Sequence, residues 1–256
     1  MTYTRISPNR TSPRRNKIDS IIIHCIVGQC TAKAGCDYFA TTDRECSANY
    51  VVGKDGSIGL CVEEKDRAWC SGGTDKDGNA IRVNGISGAD FDHRAVAIEV
   101  ASDTTDPYAV TDEALAALIR LCADICRRNG IKRLLWEGNK SLVGQTSRQN
   151  MGVHRWFANK SCPGNYLYDL HPRIAAEVNK LLSGDEEDEN VPRYNTMAEI
   201  EREASYAAPT VQKLIALGAI RGGGKKDADG NPADMDLSRD MLRVLVMNDR
   251  AGAYGE

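Results

Sequence analysis

The chain has no apolar run long enough to cross a lipid bilayer. A membrane-spanning helix needs about 20 predominantly apolar residues, whereas polar or charged side chains interrupt every apolar stretch of this 256-residue sequence. Residues 1–20 are basic but have no apolar core, so they do not resemble a secretory signal peptide. We therefore expect a protein that is made in the cytoplasm without a signal peptide and does not insert into a membrane.

An excess of positive charge is also missing. The formal net charge is −3, which argues against a general nucleic-acid-binding protein. The charge is unevenly distributed, because residues 184–256 carry nine basic and fifteen acidic side chains while residues 1–183 have a net charge of +3. This asymmetry suggests two modules with different partners.

The cysteines do not indicate a disulfide framework. Nine cysteines are present, an odd number, and no export signal accompanies them. Most are therefore expected to act as small buried apolar residues. Cys122 and Cys126 lie four residues apart on the apolar face of a predicted helix, which favours core packing.

A run of acidic residues divides the sequence. The segment 184–192 combines glycine, proline and five consecutive acidic residues, which repel one another and cannot bury a core. We predict an acidic linker here, between a first domain at 1–183 and a small helical C-terminal module at 193–256.

Strand and helix patterns alternate in the first domain. The β-branched run Ile21–Ile23 predicts a buried strand that ends at His24. An Asp55-Gly56 turn predicts a hairpin, and further predicted elements are strands at 49–53, 58–62 and 95–100 and helices at 111–129 and 172–182, the last beginning at Pro172. Apolar strands separated by helices predict an α/β fold, a mixed central sheet with helices on both faces.

The C-terminal module shows helical apolar spacing at 209–217 and 238–248. Between them, Asp227–Gly230 loosely matches the start of a calcium-binding loop. The glycine comes too early, and the twelfth position is Ser238 rather than glutamate. We interpret this segment as a plain turn.

One segment carries residues suited to metal chemistry. His154 and Cys162 lie eight residues apart with a loop-like stretch between them, and both residue types bind zinc. A third ligand is needed, and His24 at the end of a predicted strand is the natural candidate. Each residue taken alone also has a structural explanation, as a core histidine or a small buried cysteine.

The segment from Asp19 to Leu182 resembles the zinc-dependent N-acetylmuramoyl-L-alanine amidases. This family includes phage amidases, bacterial cell-wall recycling amidases and peptidoglycan-recognition proteins. The resemblance rests on four motifs in the family's order: the strand ending in His24, Ser47–Val52 followed by Lys-Asp-Gly, Ala97–Val100, and His154–Pro163. It implies hydrolysis of the amide bond between N-acetylmuramic acid and L-alanine in peptidoglycan, with Zn²⁺ held by His24, His154 and Cys162.

The resemblance also implies catalytic residues. Three protein ligands leave a coordination position open, as catalytic zinc sites do. Glu99 matches the general base of recycling-type amidases, and Lys160 matches a lysine placed to stabilise the oxyanion. The phage lysozyme-like branch uses a tyrosine where this chain has Ala48, and this departure favours Glu99 as the base.

Aromatic residues are candidates for substrate contact. Trp69 and Trp156 are predicted to line a groove, because aromatic rings stack on sugar faces, although core packing explains them equally well. Tyr50 is expected either to pack near the catalytic group or to contact substrate. His93 and His171 are interpreted as structural or surface residues.

Two other functions compete with the amidase. A non-catalytic peptidoglycan-binding protein is the main alternative, but family members that only bind typically lack the cysteine ligand. An electron-transfer copper protein would bind copper through the two histidines, the cysteine and Met151, but no other feature of the sequence supports this function. The paired carboxylates of a glycosidase are not evident.

A wall hydrolase without a signal peptide resembles a phage or prophage endolysin of clostridium-like bacteria, acting on the wall after release. The C-terminal module loosely resembles the small helical modules of such enzymes. We expect it to target the cell wall or to form a homodimer.

Overall fold

The computed structural model describes residues 2–183 and 193–255. The chain divides into two compact units, Met1–Asp185 and Glu186–Glu256. The predicted acidic linker at 184–192 lies outside the described residues. Within the ranges that the structure describes, no helix has the length and apolar character needed to span a bilayer.

The described residues of the first unit, 2–183, form ten strands and four α-helices. The strands are β1 (Tyr3–Thr4), β2 (Arg10–Thr11), β3 (Ser20–Val27), β4 (Tyr50–Val52), β5 (Ile58–Leu60), β6 (Arg67–Ala68), β7 (Arg82–Val83), β8 (Ile86–Ser87), β9 (Ala95–Ser102) and β10 (Met151–Val153). The helices are α1 (Ala32–Thr41), α2 (Gly88–Asp92), α3 (Asp112–Asn129) and α4 (Gly164–Ser183), with short 3₁₀ turns at Lys140–Leu142 and His154–Trp156.

Six strands form the central sheet, in the order β1-β5-β4-β9-β3-β10. The pairs β3–β9, β4–β9, β3–β10 and β1–β5 are parallel, whereas β4 and β5 form the predicted antiparallel hairpin. The mixed sheet confirms the predicted fold class. Strands β3 and β9 are neighbouring interior strands of this sheet and pair over all eight residues of each, with His24 beside Glu99.

Helices cover both faces of the sheet. On one face α3 and α4 pack against alternate residues of the central strands, including Ile21, Ile23 and Ile98. On the other face α1 packs against Val51, and α2 contributes Phe91 to a cluster with Ile22. Burial on both faces explains why these strands have continuous apolar sequences rather than alternating ones.

Helix α3 closely follows its predicted bounds because the sequence supplies capping residues and favourable charges at both of its ends. The Thr111 side chain caps the first turn by accepting a hydrogen bond from the backbone N–H of Ala114 at 3.1 Å. Acidic residues lie in the first turn and basic residues in the last, which complements the helix dipole. Gly130 ends the helix in the left-handed conformation, with φ 69°.

Two predicted boundaries are wrong. Strand β3 continues past His24 to Val27, because the chain keeps pairing with β9 as far as Ser102. Helix α4 begins at Gly164 rather than Pro172, so this proline lies inside the helix. An interior proline destabilises a helix by about 3 kcal/mol, and burial of apolar side chains from both halves of α4 offsets this.

In the second unit, residues 193–255 are described and contain three α-helices, α5 (Met197–Glu203), α6 (Ala208–Ala216) and α7 (Arg239–Arg250). A short antiparallel ribbon joins β11 (Arg193–Tyr194) to β12 (Leu237–Ser238), and Ser205–Ala207 forms a 3₁₀ turn. The helices share a small apolar core of their own. This arrangement confirms the predicted helical character of the C-terminal module, while its role stays a prediction.

Substituting Ile98 tests whether the central sheet carries the stability of the first unit. Ile98 is fully buried between the sheet and α3, so Ile98→Ala should lower the free energy of unfolding by about 2–5 kcal/mol. All three tryptophans belong to the first unit, so denaturation followed by tryptophan fluorescence reports on this unit alone. The matched control is Ile6→Ala, since Ile6 is 40% exposed. Equal losses in the two variants would contradict the assignment of the core.

Candidate metal and catalytic site

The structure brings three predicted metal ligands together from distant parts of the first unit. His24 lies in the middle of β3, His154 directly follows β10, and Cys162 lies in the loop before α4. One donor atom from each lies within 4.8 Å of the other two. His24 Nδ1 is 3.4 Å from Cys162 Sγ, and the two imidazole centroids are 5.0 Å apart.

The protonation states of the histidines suit metal binding. His24 is fully buried, and burial lowers its pKa well below the usual value, with His154 adding to the effect. Burial is the main cause that lowers the pKa of His154. A hydrogen bond to Gly72 raises this pKa, and the charge of Lys160 lowers it further. Both imidazoles are therefore neutral at physiological pH and offer a lone pair, as metal ligation requires.

The third donor is a thiol held in a buried setting. A hydrogen bond with Cys25, together with burial, raises the pKa of Cys162 well above the usual value. A thiol in this setting becomes a thiolate ligand when a bound cation displaces its proton. Imidazole nitrogen and thiolate sulfur are both zinc donors, and three protein ligands are the number found in catalytic zinc sites, so the residues present fit a zinc ion.

Glu99 lies next to this cluster. It pairs in register with His24 on the neighbouring strand β9. Its Oε2 atom is shielded from solvent and has no hydrogen-bond partner among the described residues, while Oε1 lies 3.8 Å from Cys70 Sγ. Burial, with a contribution from Cys25, raises the pKa of Glu99 to about 8. A carboxyl group with this pKa can both take up and release a proton near neutral pH.

A cavity of about 560 Å³ opens beside the cluster. Glu99 and His154 lie on its wall, so a bound molecule can reach both. The other lining residues are mainly apolar or aromatic, with four cysteines and one arginine: Cys25, Ile26, Val27, Gly28, Cys30, Ala34, Gly35, Tyr38, Phe39, Arg44, Cys46, Ser47, Trp69 and Cys70. The size and the lining are typical of a small-molecule site.

The remaining predicted site residues lie in different surroundings. Trp69 lines the cavity. Trp156 is buried away from it and stacks on Trp136, with ring centroids 5.2 Å apart and planes within 5°. The Tyr50 hydroxyl donates to Glu64 at 2.8 Å, and Tyr50 packs in the core shared with α3 rather than on the cavity wall. Of the three aromatic candidates, Trp69 therefore lies on the wall of this cavity, whereas Tyr50 and Trp156 do not.

Lys160 is exposed in the loop between His154 and Cys162. It lies close enough to His154 for its charge to lower the histidine pKa. The structure therefore places an exposed cation near the cluster, outside the residues that line the cavity.

Sequence reasoning missed the residues that surround the ligands. Ser71 contacts the His24 ring and Gly72 contacts the His154 ring. Asp92, buried at the end of α2, accepts hydrogen bonds from the segment that contains them. These residues carry no motif, and only the folded chain brings them to the histidines.

Comparisons with solved structures find similar chains of low identity. A mutant endolysin from Bacillus subtilis is 18% identical, with a TM-score of 0.46, over 69% of this chain and 97% of that chain. A selenomethionine AmpD derivative is 19% identical (TM-score 0.47, 71% and 93%). The N-acetylmuramoyl-L-alanine amidase LysC from Clostridium intestinale is 15% identical (TM-score 0.43, 70% and 98%).

A search among curated proteins found no match. The profile of the N-acetylmuramoyl-L-alanine amidase family, in contrast, matches residues 14–165. This match covers more than half of the chain, and it includes all three members of the histidine–cysteine cluster as well as Glu99 and Lys160. The chain therefore belongs to the N-acetylmuramoyl-L-alanine amidase family.

Proposed function

We propose that this protein is a zinc-dependent hydrolase of the amide bond between N-acetylmuramic acid and L-alanine, and that it lyses bacterial cell walls. The observation that carries the proposal is the His24–His154–Cys162 cluster beside a cavity that also exposes Glu99. Family membership supports the choice of peptidoglycan as the substrate.

Zinc is the metal that this donor set favours. Neutral imidazoles and a thiolate bind zinc well, and three protein ligands suit a catalytic rather than a structural site. A zinc ion in such a site supplies Lewis acidity, which polarises an amide carbonyl and lowers the pKa of water.

Glu99 acts as the general base in this proposal. Its carboxylate takes a proton from the attacking water and returns it to the nitrogen of the leaving L-alanine. The raised pKa of about 8 and the unpartnered Oε2 atom support this role. An unpaired carboxylate oxygen in a buried position is costly to the fold, and a functional role accounts for its presence.

Lys160 stabilises the negative charge that develops on the carbonyl oxygen. Its ammonium lies in the same loop as two of the ligands and influences the His154 ring electrostatically. Trp69 offers an aromatic surface on the cavity wall to the substrate.

The proposed roles of Glu99, in proton transfer, and of Lys160, in stabilising the developing negative charge, are tested by substitution. Glu99→Gln preserves the shape of the side chain and should lower kcat by about 10²–10⁴-fold. Lys160→Ala should lower it by about 10²–10³-fold. The assay measures new L-alanine amino termini released from a soluble muropeptide, with zinc content measured in parallel. Both variants should retain their zinc.

The matched controls are Glu113→Gln and Lys140→Ala, which change exposed residues of the same types and should leave kcat unchanged. A fully active Glu99→Gln variant would mean that the base lies elsewhere. New reducing sugar ends without new amino termini would identify a glycosidase instead. Binding to the wall without any cleavage would identify the non-catalytic alternative.

We propose a separate role for residues 193–256, that of holding the enzyme on the cell wall. Two observations support a role separate from catalysis. This unit has a small apolar core of its own, and all proposed catalytic residues lie before residue 165. Tethering to an insoluble substrate raises the effective concentration of an enzyme without adding contacts in its active site.

Truncation after Gly184 tests this role. The shortened chain should hydrolyse a soluble muropeptide at the rate of the full chain and lyse whole cells more slowly, because only the second substrate needs tethering. Loss of activity on the soluble substrate would make the module structural. Equal lysis of cells would contradict targeting, and a change from dimer to monomer on truncation would support the homodimer instead.

A further inference from the structure

Ser71 bridges a metal-ligand histidine to a buried carboxylate. Its Oγ atom lies 3.2 Å from His24 Nε2 and 2.5 Å from Asp92 Oδ1. All three residues are almost completely buried. Water therefore does not compete for these hydrogen bonds, and the protein groups alone decide which atom carries each proton.

The hydrogen-bond donors and acceptors fix the direction of this chain. Asp92 Oδ2 accepts the backbone N–H groups of Cys70 at 3.1 Å and Ser71 at 2.9 Å. Since an ionised carboxylate only accepts hydrogen bonds, the Ser71 hydroxyl donates to Oδ1. The lone pairs of Ser71 Oγ then face His24, so His24 Nε2 carries the ring proton and Nδ1 keeps its lone pair. That Nδ1 atom is the one 3.4 Å from Cys162 Sγ.

The second histidine is held in the same way by the next residue. His154 Nε2 lies 3.3 Å from the carbonyl oxygen of Gly72. A carbonyl oxygen only accepts hydrogen bonds, so His154 Nε2 also carries the proton and Nδ1 is free. Two adjacent residues, Ser71 and Gly72, therefore orient both imidazoles.

We propose that Asp92 and Ser71 are positioning residues that hold both histidines in the tautomer required for metal binding. Asp92 anchors the Cys70–Gly72 segment through three hydrogen bonds, and the segment in turn fixes the two rings. The proposal rests on the proposed metal binding by His24, His154 and Cys162. Partners of this kind set the tautomer and the orientation of a metal-ligand histidine, and losing one weakens metal binding by about 10–100-fold.

The other two histidines provide internal references. His171 Nδ1 lies 2.6 Å from the carbonyl oxygen of Leu167, so His171 carries its proton on Nδ1. His93 Nδ1 accepts the backbone N–H of Arg15 at 3.0 Å, so neutral His93 carries its proton on Nε2. The four histidines of the chain should therefore show three Nε2–H rings and one Nδ1–H ring, a pattern that nitrogen NMR resolves.

The substitution Asp92→Asn reverses the chain of hydrogen bonds. The asparagine oxygen is needed by the two backbone N–H groups, so its amide nitrogen must face Ser71 Oγ and donate to it. Of the two side chains that contact Ser71 Oγ in the described residues, only His24 is then left to accept the hydroxyl proton, so His24 Nε2 becomes an acceptor. The His24 proton moves to Nδ1 and blocks the lone pair that faces Cys162.

The experiment combines imidazole nitrogen NMR of the zinc-free full chain at neutral pH with zinc affinity from competition against a chromophoric chelator. Asp92→Asn should convert His24 to the Nδ1–H form and weaken zinc binding by about 10–100-fold. Ser71→Ala removes the oxygen that accepts the His24 Nε2 proton but puts no donor in its place. His24 should then be a mixture of the two tautomers, and the loss of zinc affinity should be smaller than in Asp92→Asn. The control is Ser20→Ala, the same change at a buried serine near the start of β3, which should match the parent protein in both measurements.

An Asp92→Asn variant that keeps the Nε2–H form and the parent affinity would overturn the proposal. If this variant does not fold, Ser71→Ala decides, and unchanged tautomer and affinity in it would overturn the proposal equally. A parent protein that binds no zinc would refute the proposed function instead, while the tautomers of the zinc-free chain would still test the roles of Asp92 and Ser71.

Discussion

The parallel pairing of β3 with β9 is the constraint on which the rest of the site depends. It joins two interior strands of the sheet over eight residues of each and sets His24 directly beside Glu99. Because the sheet is covered on both faces, these two polar side chains sit in surroundings that favour their neutral forms. The same burial therefore lowers the pKa of the histidine and raises that of the glutamic acid.

These opposite shifts give the site its chemical character. A neutral imidazole is a metal ligand, and a carboxyl group with a pKa of about 8 exchanges protons near neutral pH. Strand β10 pairs with the other edge of β3 and delivers His154 to the same region. A cation bound among these groups would stabilise the thiolate of Cys162, so metal binding and the protonation of the cluster are coupled.

Local signals in the sequence predicted much of the fold. The capped helix α3 and the β4–β5 hairpin were predictable because their turn and cap residues act on neighbouring positions. The extent of β3 and the start of α4 depend on distant packing partners, which override the local preference of His24 and Pro172. Helices α1 and α2 were missed. The buried residues of α1 have helical spacing but most of them are small, and α2 is only five residues long, so neither helix has a strong apolar signal in the sequence.

Some residues of the candidate site could also be predicted from the sequence, whereas others could not. The ligand set was predictable only through the family resemblance, because a histidine and a cysteine eight residues apart are ambiguous by themselves. Sequence could not distinguish Trp69 on the cavity wall from Trp156 in the core, since the same ring suits both positions. Ser71 and Asp92 gave no signal, because their contacts with the histidine cluster join residues far apart in the chain.

The most direct test of the account is the metal content and ligand shell of the purified, active protein. Elemental analysis should find about one zinc per chain, and X-ray absorption should show two nitrogen ligands and one sulfur ligand from the protein. Removal of the zinc should abolish cleavage, and Cys162→Ser should lose the sulfur ligand. Full amidase activity in metal-free protein, or a zinc shell without sulfur, would contradict the account.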